Sequence, residues 1–285
     1  MPFLEHFGLS GYPFALTPNP HLFFPSPQAQ ELLAALAFSL QRGDGLIKVV
    51  GEIGTGKTLL CRLLLEKLDS LPVNTAYLNA PGTVSANQIP DLVMREFGLK
   101  PPANGDAARA LRFFFLKEHA EGRQNVLVVD EAQTLGPQGL EVIRLLSNLE
   151  TEADKLLQIV LFGQPELDQL LFRADLRQIL QRVSFSFTTQ PFSPQMVATY
   201  VRFRLERCAK PDARNNVHFA PASLQRLAKA SGGLPRVVHL LADKALLAAF
   251  VDGENIVKTR HVQTAIEETP GLPSGWWSKL RLRAA

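Results

Sequence analysis

One short segment of the chain has the residue types and spacing of a phosphate-binding loop. Residues 51–58 read Gly-Glu-Ile-Gly-Thr-Gly-Lys-Thr, which fits G-x-x-x-x-G-K-[ST]. In this pattern Lys57 is expected to reach the β- and γ-phosphates of ATP, and the Thr58 hydroxyl is expected to bind Mg²⁺. The predicted nucleotide-binding residues are Gly51, Glu52, Ile53, Gly54, Thr55, Gly56, Lys57, Thr58 and Leu59.

The flanking segments are those that such a loop requires. Residues 46–50 are apolar and rich in β-branched side chains, which predicts a buried strand, and residues 59–68 have a helical pattern. A strand, a glycine loop and a helix in this order point backbone N–H groups and a helix N-terminus at one spot. This context favours a phosphate site over a glycine-rich turn with an incidental lysine.

Two adjacent acids provide a second element of the same chemistry. Residues 125–129 predict another buried strand, and Asp130 and Glu131 follow it directly. At the carboxyl end of a parallel strand both acids can reach the crevice beside the phosphates. Asp130 is expected to hold Mg²⁺, and Glu131 is expected to deprotonate the attacking water. ATP hydrolysis is therefore the leading hypothesis, with nucleotide binding alone as the second.

Length and composition are typical of a globular chain with about two domains. Of its 285 residues, 46% are hydrophobic and 20% charged, and the net charge is +3. The sequence has neither the basic start of a signal peptide nor an apolar run of about 18 residues, so we expect a cytoplasmic protein. Cys61 and Cys208 lie in helical patterns and predict buried thiols, and the six histidines lack metal-ligand spacing.

The order of predicted elements indicates an α/β fold. Five strands alternate with helices, which implies a parallel five-stranded sheet sandwiched by helices; the strand order cannot be read directly. After Ser193-Pro194, a helix start, only helical patterns are found, which predicts a small all-α lid domain. The strands are predicted at 46–50, 74–78, 125–129, 156–162 and 183–187. The helices are predicted at 59–68, 85–97, 106–121, 139–150, 166–180, 195–208, 221–231, 235–250 and 259–268.

The same reading divides the chain into four parts. They are an N-terminal segment with a first helix (1–45), the α/β ATPase core (46–190), the helical lid (191–270) and a basic, tryptophan-containing tail (271–285).

Several motifs together resemble the AAA+ ATPases, and among them the branch of general secretion pathway protein A (ExeA) and the MSHA pilus biogenesis protein MshM. Besides residues 51–58, the resemblance is carried by Phe7-Gly8-Leu9, Pro13-Phe14, Thr17-Pro18-Asn19-Pro20, Asp130-Glu131-Ala132-Gln133, residues 145–150 (Leu-Leu-Ser-Asn-Leu-Glu), Gly163-Gln164-Pro165-Glu166-Leu167 and Gly233-Leu234-Pro235-Arg236. It extends to about Glu268. The longer secretion ATPases continue into a transmembrane helix, so the chain is expected to be closer to the MshM type.

The resemblance implies roles for three further residues. Gln164 matches sensor 1, Arg236 matches sensor 2, and Arg182 matches an arginine finger that acts on a neighbouring subunit. Arg177 competes with Arg182 for the finger role. The alternatives are a backbone-bonded amide at 164 and a solvated helix-end arginine at 182.

The resemblance also implies that residues 13–20 wall the adenine. Phe14 would supply a flat apolar surface there, and the prolines a rigid backbone.

The tail and the family suggest partners. Trp276 and Trp277, followed by Lys279, Arg281 and Arg283, suit an anchor on an anionic membrane surface or a docking peptide, while a frayed terminus is the alternative. The resulting hypothesis is a homo-oligomeric AAA+ ATPase that couples ATP hydrolysis to assembly of a cell-envelope machine. An MSHA or type IV pilus, or type II secretion with its inner-membrane assembly proteins, is the first choice. A DNA-transposition regulator of the TniB/TnsC type, with nucleic acid as partner, is the second, and a scaffold with little turnover the third.

Overall fold

The structure, a computed structural model, describes residues 2–17, 19–79, 85–103, 105–211 and 217–270. The described residues form two compact units. The sheet unit contains residues 25–53 and 57–189. The helical unit contains the residues up to Phe24, Gly54–Gly56, and the residues from Gln190 onward.

The described residues contain the following elements in chain order. The helices are α1 (Pro2–His6), α2 (Pro27–Arg42), α3 (Lys57–Leu68), α4 (Ile89–Glu96), α5 (Ala107–Ala120), α6 (Gly136–Ser147), α7 (Pro165–Leu171), α8 (Arg177–Leu180), α9 (Pro194–Cys208), α10 (Pro221–Ser231), α11 (Pro235–Val251) and α12 (Thr259–Glu267). The strands are β1 (Leu46–Gly51), β2 (Val73–Asn79), β3 (Gln124–Asp130), β4 (Gln158–Gly163), β5 (Val183–Thr189), β6 (His218–Phe219) and β7 (Ile256–Val257). Short 3₁₀ turns lie at Pro20–Leu22, Ala86–Gln88, Ala132–Leu135 and Ala174–Leu176.

The sheet unit is built on five parallel strands in the order β2-β3-β4-β1-β5. β1 and β4 are buried along their full length, as expected of central strands covered by helices on both faces. In this order β4 lies between β3 and β1, with Val50 beside Gly163 and Val129 beside Leu161. The carboxyl ends of β3, β4 and β1 therefore meet at one edge of the sheet. The predicted α/β class is confirmed.

One predicted helix is divided in the structure. The pattern over 166–180 predicts one helix, whereas α7 ends at Leu171 and α8 begins at Arg177. The chain is extended at Arg173, with ψ of 148°, and the guanidinium of Arg173 binds both carboxylate oxygens of Asp175 at 3.0 Å. The apolar periodicity persists through this turn, so the pattern alone does not show the break.

The helical unit packs α1 and α9–α12 around its own core. Ser193 caps α9 by accepting a hydrogen bond from the N–H of Met196, as the Ser-Pro helix start predicts. The expectation of helices alone needs a correction, because β6 and β7 pair in parallel, with His218 beside Ile256 and Phe219 beside Val257. Strands of two residues are too short to show an alternating pattern.

The N-terminal 45 residues do not form one segment. Residues up to Phe24 lie in the helical unit, where Phe7, Leu9 and Phe14 are each 1% exposed, whereas α2 lies in the sheet unit. The ring of Phe14 packs against Phe219 and His239. Because Phe14 is a core residue, its assignment to an adenine wall is wrong. Pro18, from the same expectation, lies outside the described residues.

Candidate nucleotide-binding site

The loop between β1 and α3 has the backbone conformation that its glycines predict. Gly54 and Gly56 have φ of 84° and 95°, a region that disfavours residues with a Cβ. A Cβ added at Gly56 would meet no atom within 4 Å, so the backbone of the loop is open on that side. The loop ends at the first residue of α3, where free N–H groups and the helix dipole favour an anion.

Lys57 is buried at the start of α3. Its Nζ donates to the carbonyl oxygens of Gly51 at 2.6 Å and Glu52 at 2.9 Å, and the residue is 5% exposed. Burial lowers the pKa of Lys57, and nearby carboxylates oppose that shift. These carboxylates belong to Glu131, Asp130, Glu52 and Glu166. A cation held inside the loop, with acids nearby, suits the binding of a phosphate together with a divalent metal ion.

Asp130 ends β3 as a buried carboxylate. Its Oδ1 accepts a hydrogen bond from the N–H of Glu131 at 2.9 Å, and its Oδ2 accepts one from the hydroxyl of Tyr77 at 3.3 Å. Burial and the negative charge of Asp130 raise the pKa of Tyr77, so this hydroxyl stays protonated and remains a donor. Asp130 is thereby fixed at the sheet edge where the phosphate loop begins.

The carboxylate of Glu131 accepts hydrogen bonds from two glutamine amides. Nε2 of Gln164 lies 2.7 Å from Glu131 Oε2, and Nε2 of Gln133 lies 2.6 Å from the same oxygen. Glu131 follows β3 and Gln164 follows β4, so neighbouring parallel strands bring these two residues together. The structure thus joins the predicted base to the predicted sensor 1 residue through a side-chain hydrogen bond. The alternative of a Gln164 amide bonded only to backbone is not what the structure shows.

The donor set of this edge fits a magnesium nucleotide. Mg²⁺ prefers oxygen ligands and keeps several waters, so one carboxylate and one hydroxyl suffice when phosphates supply the rest. Asp130 and Thr58, the half-buried second residue of α3, are of this type. Within the described ranges, no group of three or more His, Cys, Asp or Glu side chains could hold a metal by itself.

Of the two candidate finger arginines, the structure places Arg182 away from the loop of its own chain. Arg182 directly precedes β5, whose first residue pairs with Leu46 at the start of β1, whereas the phosphate loop follows the other end of β1. Arg182 is half-buried, and its charge helps to lower the pKa of Glu150, after the larger effect of Lys155. Arg177 is exposed at the first position of α8.

The backbone of Arg236 is hydrogen-bonded to the phosphate loop. Its N–H donates to the carbonyl oxygen of Gly54 at 3.2 Å, one residue after Pro235 begins α11. A Cβ at Gly54 would lie 2.8 Å from the Cβ of Arg236, so only glycine allows this approach. The predicted sensor 2 residue therefore contacts Gly54 of the loop through its backbone.

The fold is that of the P-loop NTPases of the AAA class. Residues 40–171 match the family model described as an AAA domain. The fold is shared with the Aeropyrum pernix ORC2 protein in its ADPNP–ADP complexes (TM-score 0.64, 17% identity, 90% of this chain and 72% of that chain) and with Cdc6p from Pyrobaculum aerophilum (0.66, 20%, 88% and 71%).

Over 283 residues the chain is 40% identical to general secretion pathway protein A of Aeromonas hydrophila. The match covers 96% of this chain and 50% of the relative, so the chain spans half of that protein's length. The resemblance to the AAA+ ATPases of the general secretion pathway protein A type is confirmed.

Two residues of the site were not assigned a role from sequence. Gln133 lies in the Asp-Glu-Ala-Gln block, two residues after the predicted base, and this short spacing was the available signal. Tyr77 is on a predicted strand, but its contact with Asp130 depends on β2 being the neighbour of β3. Strand order is a tertiary property, so Tyr77 carried no signal of its own.

Proposed function

We propose that this chain is an ATP hydrolase. The observation that supports it best is the cluster at one sheet edge, where Glu131 is hydrogen-bonded to Gln164 and Lys57 lies among acids at the loop. A buried cation suits phosphate binding, and an oriented carboxylate suits the activation of water. A protein that only binds nucleotide needs the first of these and has no use for the second.

Each residue of the cluster has one task in this proposal. The backbone of residues 51–59 and Lys57 bind the phosphates of ATP, while Thr58 and Asp130 hold Mg²⁺. Glu131 takes the proton of the attacking water. Gln164 already donates one amide hydrogen to Glu131, and its second amide hydrogen is available for the γ-phosphate or the water.

The arginines complete the site from two sides. Arg182 acts as a finger on the nucleotide of a neighbouring subunit, because it lies at the sheet edge opposite its own phosphate loop. Arg236 acts as sensor 2, supported by the hydrogen bond of its N–H to Gly54. The finger role of Arg182 implies a homo-oligomer, in which each hydrolytic site is completed by a second copy, whereas Arg236 serves the loop of its own chain.

The proposed cellular role is assembly of a cell-envelope machine, with type II secretion and an MSHA-type pilus as the two candidates. Similarity to general secretion pathway protein A supports a role in secretion. In this proposal the protein works in the cytoplasm at the inner membrane, with assembly proteins of that machine as partners. None of the helices that the structure describes is long and apolar enough to cross a membrane. The tail that would contact anionic lipid, with Trp276 and Trp277, lies outside the described residues.

Separating binding from hydrolysis tests the proposal. Lys57→Ala removes the charged donor to phosphate and is expected to weaken ATP binding at least about tenfold. Glu131→Gln retains the shape of the side chain but removes the base, so binding should persist while kcat falls about 100-fold or more. Nucleotide titration and phosphate release measure both effects. Lys67→Ala, an exposed lysine of α3, is the matched control. Absence of hydrolysis by the wild-type protein, or near-normal turnover by Glu131→Gln, would refute the assignment.

A further inference from the structure

Gln133 closes a ring of hydrogen bonds around the proposed base. Its Nε2 donates to Glu131 Oε2 at 2.6 Å, and its Oε1 accepts from the backbone N–H of Gln164 at 3.0 Å. Gln164 then returns to Glu131 Oε2 through its own side-chain amide at 2.7 Å. One side chain therefore links the residue after β3 to the residue after β4.

The rest of Glu131 is fixed as well. Its N–H donates to Asp130 Oδ1, and its carbonyl oxygen accepts from the N–H of Thr134 at 2.9 Å and from the Thr134 hydroxyl at 2.8 Å. Glu131 has φ of 51° and is the only non-glycine residue of the described ranges with positive φ. A non-glycine residue in this region is held there by its surroundings, and such residues cluster at functional sites.

Space for Gln133 depends on Gly163, the last residue of β4. A Cβ at this position would lie 3.2 Å from Gln133 Oε1, and only 2.6 Å from Cδ2 of Leu167. Gly163 thereby lets the Gln133 side chain approach the backbone N–H of Gln164. The orientation of the Gln133 side-chain amide is also specific. Its NH₂ group must face Glu131 as a donor, and its oxygen must face the N–H of Gln164 as an acceptor.

We propose that Gln133 is a positioning residue for hydrolysis. It holds the Glu131 carboxylate toward Gln164 and fixes the base and the sensor 1 residue relative to each other. Within the described residues, the hydrogen bonds to this carboxylate all end on Oε2. Oε1 is therefore the oxygen that receives the proton of the attacking water. This inference rests on the proposed ATP hydrolase function.

Removing the side chain is the first test. Gln133→Ala is expected to lower kcat for ATP hydrolysis about tenfold, because a base released from its orientation loses part of the advantage of positioning. The dissociation constant for ATP should remain within about twofold of wild type, since Gln133 lies on the base and not on the phosphate loop. Gln124→Ala is the matched control, because Gln124 is exposed at the opposite end of β3.

An isosteric variant separates positioning from space filling. Gln133→Glu keeps the length and shape of the side chain but replaces the donor with an oxygen that faces Glu131. If the amide positions the base, this variant should lose at least as much kcat as Gln133→Ala, since carboxylates repel each other at this distance. If Gln133 only fills space, the glutamate variant should be the more active of the two. Combining each change with Glu131→Gln should abolish the difference between them.

The possible results assign each failure to one hypothesis. Lower kcat in both variants, with ATP binding retained and Gln124→Ala normal, supports the positioning role. Wild-type kcat in either Gln133 variant overturns it while leaving the hydrolase function in place. If wild-type protein does not hydrolyse ATP, both the proposed function and this inference fail.

Discussion

At the scale of single residues, the structure explains charge states that the sequence does not show. His239 on α11 is held between two partners, with Nδ1 3.0 Å from the carbonyl oxygen of Ala15 and Nε2 bonded to the hydroxyl of Tyr200. A neutral imidazole satisfies both bonds, because one nitrogen donates and the other accepts. Burial, and then the positive charge of Arg204, lower the pKa of His239 to about 4.

This histidine should make the stability of the protein depend on pH. Its folded-state pKa lies below the ordinary value of 6.5, so the unfolded chain takes up the proton first as pH falls. The stabilisation is fully present above pH 6.5, and about 3 kcal/mol of it is lost as pH falls to 4. We expect the free energy of unfolding of His239→Gln, measured with urea, to lose this part of its dependence on pH. His21→Gln, an exposed histidine in the same unit, should retain it. Equal slopes in wild type and His239→Gln would contradict the assignment.

At the scale of elements, strand length decides which arginine can act in which site. Gly51 lies five residues after Leu46 on β1, so Arg182, beside the Leu46 end, lies roughly 16 Å along the sheet from the phosphate loop. That distance exceeds the reach of an arginine side chain. Arg182 therefore suits a site on another copy of the chain, as a finger requires.

Mixing variants tests this arrangement. Arg182→Ala should bind ATP normally and hydrolyse it slowly, because its base is intact while the finger is missing. Added to Glu131→Gln, which supplies an intact finger, it should recover part of the activity. Arg177→Ala tests the competing finger, and Arg173→Ala, an exposed arginine paired with Asp175, is the control. Full ATPase activity of a monomer, independent of concentration, would show that the finger role is wrong.

At the scale of the whole molecule, the hypothesis of a cell-envelope role and the hypothesis of a DNA-transposition regulator differ in the binding partner. The relative supports an envelope role, and likeness to the ORC2 and Cdc6p structures shows the fold alone. The net charge of +3 favours neither partner strongly. The most basic segment, residues 271–285, lies outside the described residues, so only an experiment on the full chain addresses it.

Binding to liposomes and binding to duplex DNA can be measured on one preparation of the protein. If the tail is an interfacial anchor, the protein should sediment with anionic liposomes and not with neutral ones. Salt should weaken that binding, since each cation contributes about 1 kcal/mol at an anionic surface and is screened. Deleting residues 271–285 should abolish sedimentation and leave hydrolysis intact, because Lys57, Glu131 and the proposed sensors are upstream. Tight ATP-dependent binding to duplex DNA without lipid association would instead support the transposition-regulator hypothesis.

The sequence by itself determined the parts of this protein that depend on neighbouring residues. The glycines around Lys57 specify a loop conformation, the apolar runs at 46–50 and 125–129 specify buried strands, and Ser193 specifies a helix start. These features are local, so they can be read from spacing and residue type. The resemblance then assigned roles to Gln164, whose contact with Glu131 the structure shows.

Only the tertiary structure decided which residues meet. The order β2-β3-β4-β1-β5 places Tyr77 on Asp130 and Gln133 between Glu131 and Gln164. Packing in the helical unit buries Phe14, which the sequence had offered as an adenine wall. Strand order and burial depend on contacts between segments far apart in the chain. No local pattern records those contacts, because many arrangements of the same strands and helices satisfy the same periodicities.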